Sequence, residues 1–382
     1  MKRGTLIIFI FAILLWAECA ACAQSSANLE LTWAHGVCRH CQTATSIEQV
    51  QFVSPTEAWA IGYVPPGEVG AGDYSVLHTK NGAMSWKEYP SSYSHNDPPQ
   101  FSFPDRREGW MLVADVPNAE NRLLSTNDAG EHWRRLGLRD PYVDKIQYLG
   151  NGVGFAHWIN LYPKIGKIYR SVDVGRRWTK YSLPRDFSVD QMSFVDAARG
   201  WLAGCLNHQV VVLRTVDGGR RWGVAHLDLP KATPISNYCD LSVDDLSVRS
   251  DGRGLLLVNK DAFKNGDNLS YAAVFRTADG GATWTPVYRK TLTIPVVSSS
   301  VPGATGYIDI FPLFTAARLI DAHSMLIFKN DGILLVSTDD GAHWREMQLP
   351  HPVGSCRSSI VGLACAAGNP NEFWVLKVSA KP

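Results

Sequence analysis

The 382-residue sequence lacks most of the features that would announce a chemistry. After the apolar run from Leu6 to Ala17, no segment approaches the about 20 apolar residues of a membrane helix, so a mature chain without a transmembrane span is expected. Lys and Arg total 37 against 36 Asp and Glu, and the net charge of +1 supplies no bulk attraction for nucleic acid. No Asp-x-Asp-x-Asp-Gly loop with a closing Glu is present, which removes that calcium motif. Cys38-Arg-His-Cys41 is followed by Gln42 where covalent haem attachment needs His, and no thioredoxin-like βαβ pattern surrounds it. On these grounds no cofactor and no metal are expected.

What the chain has in abundance is one eight-residue pattern, Ser/Thr-x-Asp-x-Gly-x-x-Trp. Five clean copies run Thr126–Trp133, Ser171–Trp178, Thr215–Trp222, Thr277–Trp284 and Ser337–Trp344. A sixth, Thr79–Trp86, has Asn81 for Asp and its glycine moved forward to Gly82. A short pattern recurring every few tens of residues signals a repeat architecture. Each copy reads as a hairpin turn. The acid (Asp128, Asp173, Asp217, Asp279, Asp339, or Asn81) accepts backbone N–H groups, and the glycine (Gly130, Gly175, Gly219, Gly281, Gly341) takes the left-handed position. The tryptophan (Trp86, Trp133, Trp178, Trp222, Trp284, Trp344) then re-enters the sheet. Burying one such indole contributes at most about 4 to 6 kcal/mol.

A second, weaker repeat lies upstream of each box and once more near the C-terminus: EAWAIG at Glu57, EGWMLV at Glu108, VGFAHW at Val153, RGWLAG at Arg199, RGLLLV at Arg253, HSMLIF at His323 and EFWVLK at Glu372. A strand-like stretch precedes each by about ten residues, giving seven strand pairs but six boxed hairpins. The last pair ends too near Pro382 to hold its own hairpin, so Leu29–Trp33 (LELTW) is expected to supply the missing outer strand and close the ring.

These strands and boxes together resemble the Asp-box (BNR repeat) β-propellers, and among them are most similar to the photosystem II assembly and stability factor-like propellers, over roughly Leu29 to Lys377. The resemblance implies an all-β, seven-bladed β-propeller with Asp-box hairpin turns, closed by an N-terminal strand on the last blade. Composition suits it: 45% hydrophobic residues and 32 glycines fit many short strands joined by turns. Eleven of the 13 tryptophans fall in the two repeats, which accounts for them without a sugar-binding platform.

Lys2 and Arg3, the apolar run, and Ala20, Ala21 and Ala23 read as a signal peptide over residues 1–23, leaving 24–382 as a single propeller domain. The protein is then periplasmic or extracellular; Cys22 behind two small residues is the alternative of a lipid anchor, with Cys19 standing where Leu is usual. Export leaves six cysteines in an oxidising compartment. Neighbouring positions suggest Cys205 with Cys239, Cys356 with Cys365 and Cys38 with Cys41, among 15 possible connectivities. For Cys38 and Cys41 a structural disulfide, redox exchange and metal binding all stay open.

Basic pairs flank three successive box tryptophans: Arg134 and Arg135, Arg176 and Arg177, Arg220 and Arg221. Stacked on one rim they would form a contact patch for an acidic partner; the alternative is solvated turn residues whose stems cover the indoles. Asp240, Asp244 and Asp245, and Asp261 and Asp267, read as solvated loop residues. Three insertions, Val64–Asp73, Asp261–Ser270 and Lys290–Phe314, are expected on the side away from the boxes or between blades, the last with Tyr307, Phe311 and Phe314 as a contact surface.

Two functional directions follow from the resemblance. One is a non-catalytic module that binds a protein partner or assembles a complex. The other is a glycoside hydrolase, with a carbohydrate-binding receptor as its non-hydrolytic relative. Sialidases of this fold resemble one another in an Arg-Ile-Pro segment, and here the nearest string, Thr293-Ile294-Pro295, lacks the arginine that would clamp a carboxylate. Other glycosidases need two carboxyl groups about 5 to 9.5 Å apart, which linear sequence does not reveal. The binding module is the expected function, and no catalytic residue is named.

Overall fold

The computed structural model describes residues 29–36, 46–64, 73–89, 99–115, 120–138, 142–161, 164–229, 239, 241–260, 269–293, 314–329, 331–350, 355–359, 362–369 and 372–380. Among the described residues the first strand, β1 (Leu29–Gly36), pairs at the far end of the chain. Between lie six blades, each a continuous meander of four antiparallel strands. Blade one is β2 (Ser46–Phe52), β3 (Ala58–Val64), β4 (Asp73–Thr79) and β5 (Lys87–Tyr89). Blade two is β6 (Gln100–Ser102), β7 (Gly109–Asp115), β8 (Glu120–Thr126) and β9 (Arg134–Arg135). Blade three is β10 (Val143–Gly150), β11 (Val153–Leu161), β12 (Lys164–Ser171) and β13 (Thr179–Ser182). Blade four is β14 (Phe187–Phe194), β15 (Gly200–Leu206), β16 (Gln209–Thr215) and β17 (Gly223–His226). Blade five is β18 (Ser242–Val248), β19 (Gly254–Lys260), β20 (Leu269–Thr277) and β21 (Thr285–Thr293). Blade six is β22 (Phe314–Leu319), β23 (Met325–Lys329), β24 (Ile333–Ser337) and β25 (Arg345–Gln348).

The remaining four-stranded sheet corrects the expectation of a seven-bladed propeller. It is not a seventh copy of the repeat: β26 (Ser355–Ser359), β27 (Gly362–Asn369) and β28 (Glu372–Ala380) come from the C-terminus, and β1 lies outside β28. The EFWVLK segment, expected as a second strand, is β28 and stands third from β26. Six blades therefore carry the box hairpin and the seventh sheet carries none. The physical reason is the box itself, which joins a third strand to a fourth on the same chain. Here the third and fourth strands are the two ends of the polypeptide, paired from Leu29 opposite Ala380 to Gly36 opposite Phe373.

Second strands are buried on both faces, as in Gly200–Cys205 and Gly254–Asn259, because each blade packs between two others. The seams are aromatic. At three successive ones, a ring from the second strand of one blade meets a ring ending the first strand of the next blade and that blade's box tryptophan. Trp59 lies 5.5 Å from Phe103 and 6.1 Å from Trp133; Trp110 lies 4.6 Å from Tyr148 and 5.3 Å from Trp178; Phe155 lies 3.6 Å from Phe194, which is 6.3 Å from Trp222. Offset and edge-on ring pairs add about 0.5 to 1.5 kcal/mol each beyond burial. Val375 of β28 and Ala34 of β1 pack with Val50, Phe52 and Trp86 of blade one, and β22 lies against β26.

Candidate functional site

The molecule presents two ends, and the box turns define one of them. In blade two, Gly130 N donates to Thr126 Oγ1 at 2.8 Å, the same hydroxyl donates to Asp128 Oδ1 at 2.8 Å, and His132 N donates to Asp128 Oδ1 at 3.0 Å. The other five turns repeat this set, including the Asn81 turn, where Ala83 N reaches Thr79 Oγ1 at 3.2 Å and Ser85 N reaches Asn81 Oδ1 at 2.9 Å. One sequence expectation needs amendment: each turn has two consecutive left-handed residues rather than one. Gly82 and Ala83 (φ 75° and 78°) therefore fill the same two slots as Ala129 and Gly130 (60° and 80°), which explains how the glycine can move forward. Val174, a β-branched residue, holds φ 60° in blade three. In all six blades the first of these residues donates its N–H to the hairpin joining the first two strands, for example Gly218 N to Ala198 O at 2.8 Å.

Bonding sets the charge of the turns. The backbone N–H of His132 and then its ring hold the Asp128 carboxyl down at about 2, and those of His343 do the same for Asp339. Burial would raise Asp279, but the Thr283 hydroxyl and N–H outweigh it and bring it to about 2. Asp173 and Asp217 are lowered first by the N–H groups of Arg177 and Arg221. The five aspartate turns are anionic near neutrality, and the Asn81 turn is neutral.

Arginines on this end fall into two sets. Arg214 and Arg276, each one residue before a box, reach to the next blade's turn: Arg214 Nε donates to Gly280 O at 2.7 Å, and Arg276 Nη2 pairs with Asp340 at 2.6 Å. Arg170, in the same position of blade three, lies beside Gly218. This strap was readable as a basic residue before the Ser/Thr of three boxes and was missed. The second set, Arg134, Arg135, Arg176, Arg177, Arg220 and Arg221, is exposed. Only four of the six are equivalent: Arg176, Arg177, Arg220 and Arg221 precede their tryptophans in the turn, whereas Arg134 and Arg135 follow Trp133 as β9. In blade two the turn positions hold Glu131, bonded to Lys80 at 2.8 Å, and His132. The turns of blades three and four are further distinguished by Val172 and Val216, 59% and 57% exposed, at one repeat position.

At the opposite end the inner strands are irregular. β2, β10, β14, β18 and β22 each carry a bulge near their start, at Glu48, Asp144, Asp190, Asp244 and Thr315. The carboxylates there are engaged by neighbours. Asp144 binds His157 Nδ1 at 2.5 Å and Lys145 at 3.2 Å, Asp190 accepts Val243 N of the next blade at 3.0 Å, and Asp244 accepts the Ser242 hydroxyl at 2.9 Å. Asp245 is buried, pairs with Arg318 of blade six and accepts Ala317 N at 3.0 Å. Asp244 and Asp245 are thus on the inner strand β18 and not in a solvated loop. Burial, which would raise the Asp144 carboxyl, is outweighed by His157, and it is lowered. Side chains also clamp successive inner strands: Gln51 grips Phe103 O and N at 3.1 and 3.3 Å, Ser102 grips Tyr148, and Gln147 grips Phe194. Among the described residues no three His, Cys, Asp or Glu side chains gather as metal ligands.

Cys205 and Cys239 form a disulfide with Cα atoms 5.8 Å apart, tying β15 to the connection before β18. Cys356 and Cys365 are register partners in β26 and β27. Cys38, Cys41, Cys22, the segment 1–23, Asp240, Asp261, Asp267, Tyr307, Phe311 and most of the three insertions lie outside the described residues. Phe314, expected at a contact surface, is instead 1% exposed in the core between blades five and six, 5.6 Å from Tyr288. Among the described residues no helix is long and apolar enough to cross a membrane.

The fold and its turns define a β-propeller. No protein family model and no curated protein matches the sequence. Solved structures do match: YCF48 bound to D1 peptide is 16% identical with a TM-score of 0.55, covering 91% of this chain and 96% of that one. YCF48 from Cyanidioschyzon merolae is 13% identical with a TM-score of 0.55, covering 90% and 98%. The GH74 xyloglucanase from Xanthomonas campestris is 14% identical with a TM-score of 0.54, covering 85% of this chain but 51% of its own. At these identities the likeness is one of fold.

Proposed function

We propose that the chain, exported by way of residues 1–23, is a non-catalytic Asp-box propeller that binds an acidic segment of a partner protein along the box-end rim of blades three and four. The observation that carries this reading is the division of the arginines. Those before the boxes are spent on straps between blades, whereas Arg176, Arg177, Arg220 and Arg221 project from equivalent turns beside two exposed valines. Guanidinium groups flanking apolar side chains suit a carboxylate-bearing peptide, since arginine and apolar contacts together give both orientation and affinity. A propeller of similar fold has been solved with a peptide bound. The hydrolase alternative is weakened by the engagement of Asp144, Asp190, Asp244 and Asp245, each bonded to a neighbouring blade or strand.

The test is purification of the tagged mature protein from its own envelope, with mass spectrometry of what co-elutes at comparable abundance. A stoichiometric protein partner is expected, and it should be lost from the variant with Arg176, Arg177, Arg220 and Arg221 all changed to Glu while the melting temperature holds. Elution of both proteins alone, or release of fluorogenic glycosides by the wild type, would overturn the reading.

A further inference from the structure

We infer that the outer edge of blade five, strand β21, is a second docking site that takes up an extended acidic polypeptide as an added β-strand. The inference goes beyond the rim reading, because it uses a different face of the propeller and different chemistry.

Propeller blades end in an edge strand whose outward N–H and C=O groups have no strand partner, and proteins blunt such edges by keeping them short. Five of the six box-bearing blades do so: β9 has 2 residues, β5 has 3, and β13, β17 and β25 have 4 each. β21 has 9, paired along its length with β20 from Thr285 opposite Arg276 to Thr293 opposite Leu269, and it is the last strand of its sheet. Pro286 and the bulge beside it spoil the first part of that edge, because proline has no N–H to donate. From Tyr288 onward no such interruption occurs, and Arg289, Lys290, Thr291 and Leu292 are all exposed.

The side chains select the occupant. Alternation puts Tyr288, Lys290 and Leu292 on the face toward blade six, where Tyr288 packs 5.4 Å from Trp344. Arg289 is on the other face and bonds Asp228, just after blade four, at 2.7 Å. A strand laid against this edge would need a carboxylate beside Lys290 and an apolar residue beside Leu292. Pairing with a second copy of β21 is disfavoured in the registers centred on Arg289 or Lys290, where cation would face cation, since like charges placed directly opposite destabilise a ladder. Backbone bonds would provide the affinity and the Lys290 and Leu292 face the selectivity.

The experiment uses the mature protein and a capped peptide of sequence Thr-Val-Thr-Glu-Glu-Val-Thr-Val, with a counterpart carrying Lys for both Glu. Hydrogen exchange should show alternate amides within residues 288–293 slowed about tenfold or more by the acidic peptide and untouched by the basic one, a factor corresponding to about 1.4 kcal/mol. Lys290→Glu should weaken binding at least several-fold with no change in melting temperature, and Leu292→Asn should do so less, while the Glu variant of the four rim arginines should bind the peptide as before. Three results would overturn the inference: peptide protection elsewhere, equal binding of the basic peptide, or protection, in the free protein, of the amides in 288–293 that point away from β20, including protection by a dimer seen in light scattering.

Discussion

The two ends of the propeller are stabilised by opposite strategies. At the box end one hydrogen-bond set recurs in six turns, each using a hydroxyl, a carboxylate or amide and two left-handed residues within eight positions of chain. At the other end every inner strand solves its own problem, with Gln51 clamping Phe103, Asp190 reaching Val243 and Asp245 pairing with Arg318, partners 52, 53 and 73 residues apart. Local chemistry tolerates substitution because the turn is rebuilt from within, as Asn81 and Gly82 show. Long-range polar pairs tolerate it poorly, since each buried group depends on one distant partner.

The largest expected effect breaks a pair of the second kind. Asp245→Ala would leave Arg318 buried without its carboxylate and Ala317 N without its acceptor, a loss of about 3 to 5 kcal/mol. Replacing both partners at once, Asp245→Leu with Arg318→Met, should restore most of that stability, because the cost lies in the orphaned charge. Urea denaturation of the two variants and the wild type measures the difference. Equal losses in the single and double variants would mean that the pair is less isolated than its burial implies.

The box end can be graded in the same way, at somewhat lower cost. A methyl group at Gly281 would run into the Trp201 indole and one at Gly130 into that of Trp59, each at a left-handed φ of 78° or 80°. At Gly219 the nearest atom to such a methyl would be 3.5 Å away, so only the φ of 92° opposes it. Gly281→Ala and Gly130→Ala should therefore cost about 2 to 4 kcal/mol and Gly219→Ala about 1 to 2. Similar values at all three positions would show that strain in the turn, and not the indole of the preceding blade, fixes the glycine.

This difference between ends also governs what the sequence could disclose. The boxes were legible residue by residue because their partners sit within a few positions, and the second strands were legible because aromatic and small residues recur in phase. The last sheet was misread at EFWVLK, because β27 (GLACAAGN) has neither an aromatic nor a clear alternation to mark it as a strand ahead of β28. Asp244 and Asp245 looked like loop residues for a related reason. A bulged inner strand interrupts the apolar period, and what stabilises their charges comes from Asn259, Ala317 and Arg318, far along the chain. The exposed rim was legible only as arginine pairs. That Arg134 and Arg135 are out of phase with the other two pairs follows from counting positions relative to the tryptophan.

The smallest effect sharpens the comparison within the box end. A carboxyl held near 2 in the folded turn against about 3.9 in the unfolded chain contributes stability in full above the higher value. That contribution is lost as pH falls through the window between them, because the proton that binds removes an acceptor the native turn uses. The first turn has no such window, since Asn81 accepts Ser85 N and donates to the Ser85 hydroxyl at any pH. Between about pH 4 and pH 2, hydrogen exchange corrected for its intrinsic rate should show protection falling several-fold at the amides of His132, Thr283 and His343 and staying level at Ser85. Asn81→Asp should bring Ser85 into line with the others while changing stability at neutral pH by no more than about 0.5 kcal/mol. A uniform acid response across all turns would instead place the acid sensitivity away from the turns, with Asp144 as the group to test next.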